Sequence, residues 1–397
     1  MHIPSHTQAC IPPFFIDLSD FKKFIRTLRK YKLNAESLNP LTDDPPMKKN
    51  SNSIFHWGIG ILSSTLIIWA MVFFFKNSLQ LQTFDQTIGE YVPTPGSIVT
   101  WRSEGWADSH YGQHGFALNE EALVLSARPK FILWGDSHAE SLQVPDNKKI
   151  SAQFNAISSE TPYACITYGR SGATVADYYY AIPRYEKALK GIVGHVILLS
   201  GMDDVLPNIP INGHGQFLSS PWALTDKKIA PGKRKQFLKS IARTLRLGPF
   251  YYLLTSQRLP DLRLTRTQAP QSTQRPPADS KSYNLEEGWR FLLQRLKQQS
   301  SGFLVFIYCP KSVPSLKHGR IQLKDTKADL VERFHTICTE SGVGFIDTTK
   351  RFTQLYLQKK TLPRGFFNSP PGTGHMNEYG LKIIAESLRD SFQGVRK

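Results

Sequence analysis

The chain has 397 residues, with 49 Lys or Arg against 32 Asp or Glu and a formal net charge of +17. That length exceeds one average domain and leaves ample chain to bury a core. The four cysteines show no C-x-x-C spacing and the eleven histidines form no metal-binding pattern, so neither a metal site nor another cofactor is predicted.

The N-terminal part of the chain has the features of a membrane anchor. Residues 54–75 form a run of 22 residues without a formal charge. At ~1.5 Å per residue, a helix of this length spans the ~30 Å hydrocarbon core of a bilayer. Eight basic residues lie between positions 22 and 49, so the positive-inside rule places the basic segment 1–53 in the cytoplasm. We therefore predict a single-pass protein of the cytoplasmic (inner) membrane. The rest of the chain, after a linker over 76–128, would lie outside, in the periplasm where the cell has one.

The next segment carries a serine at the end of a predicted strand. The apolar run Phe131-Ile132-Leu133-Trp134 stops at Gly135-Asp136-Ser137, and a helical pattern follows. An open α/β sheet presents its site at the carboxyl ends of its strands, and a helix N-terminus there offers free N–H groups to a developing oxyanion. Ser137 is therefore a candidate nucleophile. The alternative is that Asp136 or Ser137 only caps the helix.

Strands and helices alternate through the rest of the chain. The predicted strands are Lys130–Gly135, Ile150–Ile157, Val193–Ser200, Phe303–Cys309 and Val343–Asp347. The predicted helices are Ala173–Leu189, Leu285–Gln298, Thr326–Ser341 and Asn377–Phe392. Strands separated by helices imply βαβ units, so we predict an α/β fold with a mostly parallel sheet over residues 129–397.

A long basic insertion, residues 205–284, separates the third and fourth of these strands. From Val205 to Lys281 it holds thirteen Lys or Arg against three Asp. Within it, Lys233–Leu247 has the pattern of a basic amphipathic helix. Such a helix either contacts anionic lipid headgroups or an anionic glycan, or covers the sheet with its lysines in solvent. Nucleic-acid binding is not expected of a domain outside the membrane.

A histidine near the C-terminus complements the serine. His375 stands on a loop just before the helical pattern of Asn377–Phe392. A serine hydroxyl is a poor nucleophile until a base removes its proton, and histidine has a suitable pKa for that task. Ser137 and His375 are therefore the predicted catalytic pair.

These segments together resemble the SGNH (GDSL-like) hydrolase and acyltransferase superfamily, in its membrane-anchored branch linked to O-acetylation of envelope polysaccharides. The resemblance covers roughly residues 129–396 and implies a three-layer, flavodoxin-like fold. Residues 133–139 are similar to the first family block, which implies that Ser137 is the nucleophile. Residues 166–174 and 195–204 resemble the second and third blocks. They imply an oxyanion hole formed by Ser137, Gly172 and the residue at position 203.

Two positions depart from the family pattern. The third block normally has an asparagine where this chain has Asp203, and an ionised carboxylate accepts hydrogen bonds but cannot donate one to an oxyanion. Asp203 is therefore either protonated or has another role, or the hole relies on the Ser137 and Gly172 amides. The family also carries an aspartate two or three residues before the histidine, where this chain has Gly372 and Thr373. Another acid could substitute, or the enzyme works with a Ser–His dyad.

Two cysteines leave a structural alternative open. Cys309 ends a predicted strand and Cys338 lies in the following helix. They form either a disulfide bridge outside the cytoplasm or two buried free thiols.

The resemblance implies a membrane-anchored, serine-dependent O-acyl (acetyl) transferase that modifies an envelope polysaccharide. Acyl transfer and ester hydrolysis share an acyl-enzyme, so a carbohydrate acetyl esterase is the alternative. A catalytically silent glycan-binding or scaffold protein is a third hypothesis. An outside domain cannot meet cytoplasmic acetyl-CoA, so a multi-span membrane acyltransferase is the implied donor of acyl groups. The other implied partners are the polysaccharide or another acylated sugar, and membrane lipid.

Overall fold

The computed structural model describes residues 51–74, 80–158, 161–209, 215–226 and 283–393, together with the single positions 237 and 241. The basic segment over residues 1–50, most of the basic insertion and most of the predicted helix Lys233–Leu247 lie outside the described residues. The chain forms two compact units, Met1–Leu66 and Ile67–Lys397.

Helix α1, Ser51–Phe74, occupies the segment predicted to be a membrane span. Its described side chains, from Phe55 to Ile67, are all exposed. Across the described residues, no helix combines the length and the apolar content needed to cross a membrane. The predicted helix is therefore present, but the predicted transmembrane span over 54–75 is not found.

A five-stranded parallel sheet forms the centre of the second unit. Its strands are β5 (Lys130–Gly135), β6 (Ala164–Gly169), β7 (Ile192–Leu199), β10 (Phe303–Tyr308) and β13 (Gly344–Asp347). Their order across the sheet is β13-β10-β7-β5-β6. Counted along the chain this is 2-1-3-4-5, the flavodoxin-like order, whose switch point lies between β5 and β7. The predicted α/β fold with a parallel sheet is confirmed.

Helices cover both faces of this sheet. They are α2 (Glu121–Leu125), α3 (Ser137–Glu140), α4 (Ile150–Ile157), α5 (Val175–Ala188), α6 (Leu285–Gln299), α7 (Ala328–Glu340), α8 (Thr349–Lys359) and α9 (Glu378–Gln393). One apolar core lies between the sheet and α5, α6 and α7; the other lies between the sheet and α4, α8 and α9.

Strand β5 shows why the sequence makes three layers. All six of its residues are buried. Successive side chains of a strand point to opposite faces, so Ile132 and Trp134 enter the first core while Phe131 and Leu133 enter the second. A strand buried on both faces reads as a continuous apolar run rather than an alternating one. The run that ends at Gly135 therefore forms an interior strand of the sheet, next to the switch point.

One predicted strand is wrong. Ile150–Ile157 is helix α4, and the strand of this region is β6, Ala164–Gly169. Ile150, Phe154 and Ile157 are spaced by four and three residues, which is the period of a helix face. Ile150 and Phe154 are fully buried on that face. The other predicted strands and helices that lie within the described residues are confirmed, with ends that differ by at most two residues, and the predicted helix Lys233–Leu247 stays untested.

Short hairpins surround the central sheet. Within 80–128, expected to be a linker, strands β1 (Gln82–Asp85) and β2 (Glu90–Pro93) form one hairpin, and β3 (Ile98–Trp101) and β4 (Ala107–His110) form another. The described part of the insertion holds β8 (Gln216–Ser219) and β9 (Trp222–Thr225), and β11 (Ser315–Lys317) pairs with β12 (Arg320–Gln322).

The two cysteines of the open alternative are not bridged. Cys309 and Cys338 are buried free thiols. Cys309 Sγ lies 3.1 Å from Met376 Sδ, and burial raises the pKa of the Cys309 thiol to about 11.

Candidate active site

Ser137 occupies the first turn after β5, at the carboxyl end of the sheet. The Asp136 carboxylate caps the short helix α3 and accepts a 2.8 Å hydrogen bond from the His138 N–H. The capping role considered from the sequence therefore belongs to Asp136, which leaves the Ser137 hydroxyl available for chemistry.

The Ser137 hydroxyl meets the imidazole of His375. Ser137 Oγ lies 2.9 Å from His375 Nε2, although 238 residues separate them in the chain. Both residues are partly exposed, so a substrate in solvent can reach them. The two predicted catalytic residues therefore come together at hydrogen-bond distance.

A third residue completes this chain of hydrogen bonds. Glu104 Oε2 lies 2.5 Å from His375 Nδ1, and Glu104 Oε1 accepts a 2.9 Å hydrogen bond from the His375 backbone N–H. Burial opposes ionisation of Glu104, but the hydrogen bonds from His375 outweigh it and hold the pKa of this carboxyl below its usual value. An ionised Glu104 keeps the ring proton on Nδ1, so Nε2 faces Ser137 as an acceptor.

Glu104 comes from the β3–β4 turn, in the segment expected from the sequence to be a linker. An acid other than the family aspartate is therefore present at His375. It comes from far earlier in the sequence and not from the positions of Gly372 and Thr373, just before the histidine. The backbone just before His375 leaves room for the Glu104 carboxylate. Gly374 has a φ of +73°, and a Cβ at this position would collide with Glu104 Oε1.

A buried arginine fixes the loop that carries His375. Arg364 is 2% exposed and donates a 3.0 Å hydrogen bond to the Gly374 carbonyl from Nη1. Its Nε and Nη2 donate to the Pro310 carbonyl at 3.1 and 3.0 Å, at the end of β10. The guanidinium therefore ties the histidine loop to the edge of the sheet.

A second histidine lies beside the first without competing with it. The ring centroids of His138 and His375 are 4.9 Å apart. Burial lowers the pKa of His138 well below its usual value, and the charge of Arg364 adds to the effect. The Met376 N–H donates to His138 Nδ1 at 3.3 Å. His138 therefore stays neutral and supports the loop, whereas His375 makes the hydrogen bond to Ser137 Oγ.

The loop predicted to form part of the oxyanion hole is held by a carboxylate of α3. Glu140 Oε2 accepts hydrogen bonds from the Ser171 backbone N–H at 2.9 Å and from Ser171 Oγ at 2.5 Å. Gly172 follows with a φ of +79°, which favours glycine. Within the described ranges, the backbone N–H groups of Ser137 and Gly172 donate to no protein acceptor. Both are thus available to an incoming oxyanion.

Asp203 lies beside a cation. Its carboxylate lies 3.7 Å from Lys311 Nζ, on the 3₁₀ turn Met202–Val205 that follows β7. The next residue, Asp204, faces inward. Ser200 Oγ bridges Asp204 and Asp136, at 3.2 and 2.9 Å.

Asp136 and Asp204, the two carboxylates that Ser200 links, are both buried. Burial raises the pKa of Asp136, and burial together with the charge of Asp136 raises the pKa of Asp204 to about 7. Two carboxylates this close and this buried do not both ionise easily. Burial therefore favours the protonated form of one of the two carboxyls, and Ser200 links the pair to the turn after β7.

Comparisons with known proteins give only low similarities. No protein family and no curated protein matches the chain. Among solved structures, the acetyl xylan esterase AlAXEase is 14% identical, over 66% of this chain and 98% of that chain, with a TM-score of 0.35. An acetylxylan esterase from Geobacillus stearothermophilus is 12% identical, over 68% and 96%, with a TM-score of 0.34. Phospholipase A1 from Streptomyces albidoflavus NA297 is 10% identical, over 66% and 99%, with a TM-score of 0.36. At these values the neighbours carry no argument about activity, which rests on the residues of this chain.

Proposed function

We propose that this protein is a serine-dependent acyl-transfer enzyme of the SGNH type, acting on acylated sugars through an acyl-serine intermediate. The observation that carries the proposal is that the His375 imidazole connects the serine to the carboxylate. His375 Nε2 lies 2.9 Å from Ser137 Oγ, and His375 Nδ1 lies 2.5 Å from Glu104 Oε2. A silent binding protein has no need to orient a histidine toward a serine at one nitrogen and toward a carboxylate at the other.

The first half of the reaction forms the acyl-enzyme. His375 Nε2 accepts the Ser137 proton as Oγ attacks the carbonyl carbon of an ester, and Glu104 stabilises the imidazolium. The Ser137 and Gly172 N–H groups donate to the oxyanion of the tetrahedral intermediate. His375 then gives the proton to the departing alcohol oxygen, which leaves an acyl ester on Ser137.

The second half decides between transfer and hydrolysis. A sugar hydroxyl or a water attacks the acyl-serine and passes its proton to His375, and the tetrahedral intermediate collapses as His375 returns that proton to the departing Ser137 Oγ. We propose the sugar hydroxyl of an envelope polysaccharide as acceptor, with acetyl as the acyl group. Hydrolysis is the same chemistry with water as acceptor. Asp203 takes no part as a donor, because its carboxylate faces Lys311.

Ester turnover by the full chain tests the common step. Wild-type protein is expected to release 4-nitrophenol from 4-nitrophenyl acetate, and Ser137→Ala should lose this turnover by several orders of magnitude. Ser391→Ala, on the C-terminal helix α9, is the matched control and should behave as wild type. Equal turnover by Ser137→Ala would overturn the proposal. Addition of an oligosaccharide acceptor separates the two outcomes, because transfer yields an acetylated glycan while hydrolysis yields only acetate.

We further propose that the enzyme acts at the outer side of the cytoplasmic membrane, with a multi-span acyltransferase as donor of acyl groups. The proposal is supported by the basic segment before α1 and by apolar side chains of α1 that are more than half exposed, namely Phe55, Trp57 and Ile61. Cell fractionation of the full chain and of a variant lacking residues 1–79 tests it. Recovery of the full chain in the membrane pellet, and of the truncated chain in the supernatant, is the expected result. Recovery of both in the supernatant would contradict it.

A further inference from the structure

The acid of the site stands on a turn that lies far along the chain from the histidine loop. Glu104 lies between β3 and β4, and its partner His375 is 271 positions further on. In the family pattern the acid comes two or three residues before the histidine, so the chain itself keeps the pair together. Here the two loops meet through non-covalent contacts, and these contacts must fix the turn that carries Glu104.

The Asn368 side chain connects the two loops. Its Oδ1 accepts a 2.7 Å hydrogen bond from the Gly105 N–H. Its Nδ2 donates to the carbonyls of Arg102 and Gly105, at 2.9 and 3.1 Å. A carboxamide has an acceptor oxygen and two donor hydrogens, so Asn368 applies its full hydrogen-bonding capacity to the backbone around Glu104. These three hydrogen bonds hold the turn on both sides of the acid.

The turn is also supported from its other side and from within. Gly105 has a φ of +72°, and a Cβ at this position would collide with the Gln143 carbonyl. Arg102 Nη1 donates a 2.5 Å hydrogen bond to the Ala107 carbonyl, which closes the turn on itself. The turn therefore moves as one unit, and its position follows from its contacts with Asn368 and with the Gln143 backbone.

Asn368 belongs to the same loop as His375. The Gly365 N–H donates to the His375 carbonyl at 3.1 Å, and the Gly372 N–H donates to the Arg364 carbonyl at 3.0 Å. These hydrogen bonds close the loop over residues 364–375. A closed loop that carries both the base and an anchor for the acid fixes the distance between the two catalytic groups.

We propose that Asn368 is a positioning residue of the site, which holds the turn over residues 102–105 so that the Glu104 carboxylate meets His375 Nδ1. The inference rests on the proposed function and deepens it, because it names the residue that brings the substitute acid to the base. The hydrogen bonds of Asn368 within the described chain go to the backbone of this turn, so its effect on catalysis passes through Glu104.

A double-mutant cycle with Glu104→Gln tests this role on 4-nitrophenyl acetate. Asn368→Ala should lower kcat about ten- to a hundredfold with little change in KM, because a misplacement of about 1 Å at a catalytic group costs up to a hundredfold. In the Glu104→Gln background the same substitution should lower kcat by less than about threefold, since the group that Asn368 positions is already lost. A residue that only stabilises the fold would lower kcat equally in both backgrounds.

Asn155→Ala is the matched control. The Asn155 carboxamide also bridges backbone groups, since it bonds the N–H and the carbonyl of Cys165, each at 2.8 Å. Cys165 lies near the amino end of β6, at the opposite edge of the sheet from the site. Loss of this bridge should lower the melting temperature but leave kcat unchanged. Asn368→Asp is a second variant that keeps the acceptor for the Gly105 N–H but turns a carboxylate toward two carbonyls, so it should also lower kcat.

Proton NMR detects the same contact without turnover. The His375 Nδ1 proton, in its hydrogen bond to Glu104, should give a resonance far downfield that is absent from His375→Ala. Asn368→Ala should shift or remove this resonance, whereas Asn155→Ala should leave it in place. Equal losses of kcat in the two backgrounds, or an unmoved resonance in Asn368→Ala, would overturn the role of Asn368. A wild-type protein without ester turnover, whose resonance still responds to Asn368→Ala, would overturn the proposed function and retain the positioning role.

Discussion

Replacing Glu104 by Gln should disable the enzyme while leaving its fold intact. The amide oxygen can still accept the His375 backbone N–H that Glu104 Oε1 now accepts at 2.9 Å. The amide nitrogen, however, would face His375 Nδ1, where Glu104 Oε2 now lies at 2.5 Å. An amide N–H₂ donates, so it favours the tautomer with the proton on Nε2. That proton points at Ser137 Oγ, and the ring can no longer accept the serine proton.

The size of the effect follows from this tautomer change. Loss of the orienting carboxylate in a Ser–His–Asp triad lowers kcat about 10⁴-fold, which corresponds to ~5.4 kcal/mol at ~1.36 kcal/mol per factor of ten. The Glu104 and His375 side chains here are 17% and 26% exposed, so solvent compensates in part. We expect a fall in kcat of about 10³- to 10⁴-fold on 4-nitrophenyl acetate, with little change in KM.

The assay needs a control for the general loss of a carboxylate. Glu340→Gln removes an exposed glutamate whose described partner is Arg290, far along the chain from the site, and should retain full turnover. Circular dichroism should show the same melting transition for Glu104→Gln as for wild type within a few degrees. If Glu104→Gln keeps kcat within tenfold of wild type, the enzyme works with a Ser–His dyad and the role given to Glu104 is refuted.

Three further substitutions probe the surroundings of the site. Gly374→Ala should lower kcat at least tenfold, because its Cβ would displace the Glu104 carboxylate; unchanged kcat would contradict this. Glu140→Gln should lower kcat roughly tenfold with little change in KM, because the Ser171 N–H and hydroxyl lose a charged acceptor and the loop that carries Gly172 loosens. A tenfold rise in KM with an unchanged kcat would argue against that role. Burial raises the pKa of Asp204 to about 7, so the folded state holds a proton that the unfolded state releases above its ordinary pKa of 3.8, and the contribution of Asp204 to stability falls as pH rises from about 4 to 7. Asp204→Asn should flatten this decline in melting temperature, and parallel curves for the two proteins would refute the assignment.

Local signals explain how much of the site was predictable. Ser137 and His375 each stand where an apolar run meets a turn or a helix start, and both positions can be recognised from the neighbouring residues. Glu104 has no such signal. It lies 271 residues from His375, on a turn between two four-residue strands, and only the folded chain brings it to the imidazole.

The fold shows the same limit. Strands β5, β7 and β10 are buried apolar runs and were recognisable as such. Strand β6 contains Thr167 and Tyr168 and ends at Gly169, whereas Ile150–Ile157 alternates apolar and polar residues as far as Asn155, which is a pattern that predicts a strand. Tertiary packing determines the register across the sheet and the position of the β3–β4 turn beside the site. The pattern of residues along the chain does not contain that information.

Covalent labelling of the serine is the measurement that tests the central claim most directly. A fluorophosphonate probe forms a stable ester only with a serine that a neighbouring base activates. Intact mass and peptide mapping of the full chain should show one added group, on Ser137. The label should be absent from Ser137→Ala and should form much more slowly in His375→Ala and Glu104→Gln. A folded wild-type protein that takes no label, or a Ser137→Ala variant that is labelled as fast as wild type, would contradict the account.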